Sequence, residues 1–130
     1  MPKKAEFETT PREVAQKILG EVPQYDAFYF FTDVNKYTGV YARSLVVFFN
    51  QLKTINRKSI DFHFKRRDFE NWIRSTIGDT HLANEIAKIN ETIKEEELLA
   101  QVCQMIEKRL TELKQLLAIE ESYVEHDDDL

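Results

Sequence analysis

The 130-residue chain sets 18 Lys and Arg against 23 Asp and Glu, a net charge of −5, with 42% hydrophobic residues and only three Gly and three Pro. That composition fits one helix-rich globular domain and excludes a disordered or collagen-like chain, while a single cysteine, Cys103, can build neither an internal disulfide nor a cysteine metal site. No apolar run reaches the roughly 18–20 residues of a membrane span, and the start Met1-Pro2-Lys3-Lys4 lacks the apolar centre of a signal peptide, so a soluble cytoplasmic protein with no membrane partner is expected.

Residues 1–9 are polar and aperiodic and read as a flexible arm. Thr10-Pro11-Arg12-Glu13 then combines a capping hydroxyl, a proline at the first helical position and a glutamate three residues after the cap, which predicts a helix over about 11–19 with Val14, Ala15, Ile18 and Leu19 on one face. Ala27-Phe28-Tyr29-Phe30-Phe31-Thr32, the turn-rich Asp33-Val34-Asn35-Lys36 and Tyr37-Thr38-Gly39-Val40-Tyr41 read either as a short aromatic β-hairpin or as an irregular aromatic segment lying across the helices. Ser44 caps the next helix, in which Leu45, Phe48, Phe49, Leu52 and Ile55 recur at helical spacing. Ser59 is placed as the cap of a short turn, and Asp68 as the cap of a helix carrying Phe69, Trp72, Ile73 and Ile77 that ends at Gly78. Asp79 caps a further helix with Leu82, Ile86 and Ile89, and Thr92 offers a second capping box at a bend before Glu95.

The last helix is expected over roughly 93–119, with a stripe of Leu99, Val102, Ile106, Leu110, Leu113 and Leu117, and residues 120–130 read as an acidic disordered tail. The resulting architecture is mainly α: about five helices with a long C-terminal helix and one aromatic hairpin or irregular segment, in a single helical domain over 10–119. Charge is uneven along it. Residues 1–50 hold six acids and six bases, 51–78 hold three acids and seven bases, and 79–130 hold fourteen acids and five bases.

Familiar catalytic patterns are absent. Three glycines cannot supply a GxGxxG or GxxxxGK[ST] phosphate loop, and no serine sits in a glycine elbow. His63, His81 and His126 stand too far apart for a metal pair, so no metal and no cofactor is expected. Cys103 falls within an apolar stripe and reads as a small buried hydrophobe. Rare residues crowd instead into Ser59–Ile73, with the only tryptophan, Trp72, beside His63, Arg66, Arg67 and Asp68. His63 reads as a histidine bonded within the fold before it reads as a general base. Phe62, Phe64, Phe69, Trp72 and Ile73 read as a core seam between two short helices.

Ala42-Arg43-Ser44-Leu45, Ser59-Ile60-Asp61-Phe62-His63-Phe64, Arg67-Asp68-Phe69-Glu70-Asn71-Trp72-Ile73 and Ile77-Gly78-Asp79 together resemble an uncharacterised, largely archaeal family of small helical domains of unknown function. Tyr37-Thr38-Gly39, Glu97-Leu98-Leu99 and Leu110-Thr111-Glu112-Leu113 fit the same pattern, which extends over about 26–117. The resemblance implies a self-contained domain and supplies no reaction, cofactor or catalytic residue.

Two classes of function are expected. The first is a non-enzymatic interaction or regulatory module that forms a homodimer through Leu99, Val102, Ile106, Leu110, Leu113 and Leu117, with a further protein partner as a variant. The second is a ligand-binding or catalytic pocket for a small anionic molecule where Arg43, His63, Arg66, Arg67, Asp68 and Trp72 converge, centred on His63, Arg67 and Asp68. Nucleic-acid binding by the basic residues of 53–74 ranks behind both, because the chain as a whole is acidic.

Overall fold

Thr10 and Glu13 open the first helix reciprocally. The Thr10 hydroxyl accepts the Glu13 amide hydrogen at 3.1 Å, and the Glu13 carboxylate accepts that of Thr10 at 2.9 Å. Helix α1 then runs Pro11–Leu19 and buries Ala15 and Ile18. The structure, a computed structural model, describes residues 10–128, with side chains through 118. The arm expected over 1–9 lies outside the described residues, as do Asp129 and Leu130.

The aromatic segment is a hairpin. Strand β1, Phe28–Asp33, pairs antiparallel with β2, Lys36–Ala42, around Val34 and Asn35, and Asn35 takes the left-handed conformation the turn requires (φ 64°). Tyr29 stands opposite Tyr41 but Phe31 opposite Tyr37, so β2 bulges between them at Gly39 (φ 87°). The Thr38 hydroxyl bridges the bulge by donating to the Phe30 carbonyl at 2.7 Å. Alternation along β1 sends Phe28 and Phe30 into the core and leaves Tyr29 and Phe31 half-buried on the other face, against Tyr41 and Tyr37.

Ser44 caps α2, Leu45–Leu52, as predicted. The short turn expected from Ser59 is a full helix, α3, Arg57–Lys65, and its cap is Asn56, whose side chain accepts the Lys58 amide at 2.9 Å. Ser59 is fully buried inside α3, with a hydroxyl that has no partner among the described residues. The next corner also differs from expectation. Arg67, not Asp68, holds the cap position of α4, Asp68–Trp72, in a left-handed conformation (φ 64°) and with no side-chain cap bond. Asp68 is the helix's first residue, and its carboxylate is used elsewhere.

A wide turn, Ile73–Ile77, continues α4, and the amides of Gly78 and Asp79 both donate to the Ile73 carbonyl at 2.9 Å. Gly78 (φ 88°) closes it. Asp79 caps α5, Thr80–Ala87, by accepting the Leu82 amide hydrogen at 3.1 Å. Its carboxylate is also held by Arg109 at 2.7 and 3.2 Å, a buried link to the last helix that no local pattern announces. Thr92 turns back onto Asn90 instead of capping, and the last helix, α6, spans Glu95–Asp128. Its 34 residues extend about 51 Å and pass the expected end at 119, so the backbone of the expected disordered tail is helical through Asp128.

α6 lies across α1, α2, α3 and α5. Leu98, Val102, Ile106, Leu110 and Leu113 enter one core with Phe48, Leu52, Phe69, Ile73 and Ile86. With six helices and one hairpin among the described residues, the fold is mainly α as expected. No helix among them is long and apolar enough to cross a membrane.

Candidate binding cleft

Helix α3 turns Ile60 and Phe64 into the core and carries His63 beside them, only 4% exposed. Nε2 of His63 accepts the Phe31 amide hydrogen at 2.8 Å, and Nδ1 lies 2.8 Å from Oδ2 of Asp68. A backbone amide can only donate, so Nε2 is bare and the ring proton sits on Nδ1, directed at the carboxylate. Burial keeps the His63 pKa below its ordinary value; the hydrogen bond and charge of Asp68 pull upward and only partly offset it, while Arg66 adds to the lowering. The ring packs among Phe28, Phe62 and Phe69 at centroid distances of 4.8, 5.0 and 5.9 Å. Both nitrogens are therefore engaged inside the fold. The same bond caps an outward amide of β1, where an unpaired strand edge would otherwise invite another strand.

Between the hairpin and the α3–α4 corner opens a cleft of about 350 Å³. Its walls are aromatic: Phe28, Tyr29 and Phe31 from β1, Phe62 from α3 and Trp72 from α4. Asp33, Asn35, His63, Arg66 and Asp68 supply the polar groups. Phe62, expected in the core seam, is half-buried and forms a wall, whereas Phe64, Phe69, Trp72 and Ile73 are buried as expected. The Arg66 guanidinium stands over the Phe62 ring at 4.8 Å, with Nε 3.3 Å from Asp68 Oδ2. Trp72 donates its indole proton to the Asp26 carbonyl at 2.8 Å, which fixes its ring against the cleft. Asp33 accepts the Val34 amide hydrogen at 2.7 Å.

Of the ligand residues expected from sequence, His63, Arg66, Asp68 and Trp72 meet at this cleft. Arg43 does not: its Nε donates to the Val22 carbonyl at 2.9 Å, beside the far end of β2. Arg67 points instead to Glu70 and Glu91 at 3.4 and 3.6 Å. Sequence reading missed Tyr29, Phe31 and Asp33. Period-two alternation could have placed all three on one face of β1, but nothing local shows that α3 packs beside that face.

The remaining basic residues are largely paired. Arg57 meets Glu96 at 2.9 Å, Lys65 meets Asp61 at 3.1 Å, Arg74 meets Glu70 at 3.4 Å, and Lys53 sits over the Phe49 ring. Of the stripe expected at a dimer interface, Val102, Ile106, Leu110 and Leu113 are buried by the chain's own core. Leu99 and Leu117 are half-buried against that core. Cys103 is half-buried, not fully, and its burial pushes the thiol pKa up.

No curated protein and no solved structure matches the chain. The family described as "Family of unknown function (DUF5752)" matches residues 24–124. That span takes in the hairpin, the α3–α4 corner and most of α6, and on this match the chain belongs to the DUF5752 family.

Proposed function

We propose that this chain is a non-enzymatic interaction module whose working surface is the cleft between the hairpin and the α3–α4 corner. One observation carries the reading. Both nitrogens of His63 are spent on Phe31 and Asp68, so the group best suited to proton transfer is part of the framework, while the aromatic walls beside it stay open. The reading requires no cofactor. An anionic ligand has less support, because among the described residues Arg66 is the single cation that lines the cleft and it already faces Asp68. Nucleic-acid binding is disfavoured by the ion pairs of Arg57, Lys65, Arg66, Arg67 and Arg74.

Trp72 is the only tryptophan and lines the cleft, so its emission reports occupancy directly. Titration with benzyl alcohol, choline and benzoate, one neutral, one cationic and one anionic probe, should give a saturable change with at least one of them. No change with any of the three sinks the reading.

A second reading, self-association, draws on the length of α6. Arg12 donates to the Leu117 carbonyl at 2.9 Å, and the helix continues to Asp128 beyond that tie. A second copy paired along this distal part would leave the buried stripe intact. Light scattering should then give about twice 15.4 kDa for the full chain and 15.4 kDa for a chain ending at residue 118. A monomer in both cases removes it.

A further inference from the structure

Building on the cleft as a binding site, we infer that its ligand is an alkylated ammonium group, seated on the aromatic walls and drawn by Asp33. Three observations converge on this. The first is charge: among the described residues the lining holds Asp33 and Asp68 against Arg66 alone, and His63, whose bare Nε2 faces an amide hydrogen, adds none. The surplus is negative, which favours a cation over the anion that the basic sequence suggests.

The second is precedent within the molecule. The Arg66 guanidinium already rests on the Phe62 ring, so one cation is seated on an aromatic wall of this cleft. The third is hydrogen-bonding capacity. A primary ammonium brings three N–H groups that need acceptors. Asp68 Oδ2 is shared by His63 and Arg66 and Asp33 Oδ1 holds Val34, so two of the four carboxylate oxygens in the lining already have partners, which leaves fewer than three. A cation wrapped in methyl groups needs no such acceptors; it needs apolar area and a diffuse negative field, which these walls provide.

The test compares choline with its uncharged isostere dimethylbutanol, and with acetate, by Trp72 emission and calorimetry at low salt. Choline should bind about tenfold more tightly than dimethylbutanol, and acetate should not compete. Asp33→Asn keeps the acceptor for the Val34 amide at an exposed position, so the fold is retained. It should weaken choline several-fold and leave dimethylbutanol unchanged. Arg66→Gln removes the resident cation and should tighten choline. Equal affinity for choline and dimethylbutanol, insensitivity to Asp33→Asn, or tighter binding of acetate would overturn the cation assignment while leaving the cleft as a binding site. Failure of benzyl alcohol, choline and benzoate alike to change the Trp72 emission would remove the cleft reading itself.

Discussion

The Phe31 amide donates to Nε2 of His63 over 2.8 Å and thereby ties the hairpin to the helical body through a side chain 32 residues away. Asp68 takes the opposite ring proton, so one neutral imidazole joins β1, α3 and α4. Protonating that ring would place an Nε2 hydrogen against the Phe31 amide hydrogen, which makes the joint sensitive to acid.

Linkage sets the sign of that sensitivity. The folded ring binds its proton less readily than the unfolded one, because burial lowers its pKa. Stability from this group is complete above about pH 6.5 and is withdrawn as pH falls through the lowered folded value, by up to about 1.4 kcal/mol per pH unit. Thermal melts between pH 8 and 5 should show the decline, and His63→Gln should remove that component of it. An unchanged slope in the variant would show that groups other than His63 set the acid response.

Gly39 tests the bulge. Its φ of 87° lies in the left-handed region, and a Cβ there would meet no atom within 4 Å. The cost of Gly39→Ala is therefore conformational alone, about 1–2 kcal/mol by chemical denaturation. A neutral outcome would mean that β2 can re-register without the bulge.

Asp79 and Arg109 test the buried tie between α5 and α6. Asp79 is 1% exposed, and Arg109→Ala leaves its carboxylate with the Leu82 amide as its remaining bonded partner. That should cost about 3 kcal/mol. The pair Asp79→Asn with Arg109→Met should recover part of the loss, because the uncompensated buried charge is gone. Equal losses in the single and double variants would argue that packing, not charge, governs the site.

Ile106 tests where the α6 stripe is spent. It is fully buried among core residues, so Ile106→Ala should lower the stability of the single chain by about 2–5 kcal/mol. Denaturation at concentrations where scattering gives 15.4 kDa isolates that loss from association. A loss below about 1 kcal/mol would place Ile106 outside the core.

Features set by neighbours in sequence were legible, and features set by neighbours in space were not. Thr10, Ser44 and Asp79 cap as their positions indicate, because a cap bond spans only three residues. Phe28 and Phe30 alternate inward as strand residues must. Asp68 misled, since the same carboxylate that suits a cap also suits a histidine five residues before it, and the second bond prevailed. Ser59 misled similarly: Asn56 lies earlier and caps first. The cleft was half visible. Its α3–α4 wall is contiguous in sequence, whereas its β1 wall lies some thirty residues earlier and is joined to it through the Phe31–His63 bond.

At the α4–α5 corner chain length is constrained as tightly as composition. The wide turn at Ile73–Ile77 accommodates one residue more than an α-helical turn would. Deleting a single residue there would let the backbone close into ordinary helix, rotating α5 and α6 by about 100° relative to α4. Asp79 and Arg109 would turn together, but Leu82, Ile86 and Ile106 would leave the core they share with Phe69, and Gly78 would lose its place at the exit. Substitutions at Ser75 and Thr76, turn residues outside the core, should be far better tolerated than a change of one in its residue count, so the corner acts as a frame marker that sets the phase of everything from α5 onward.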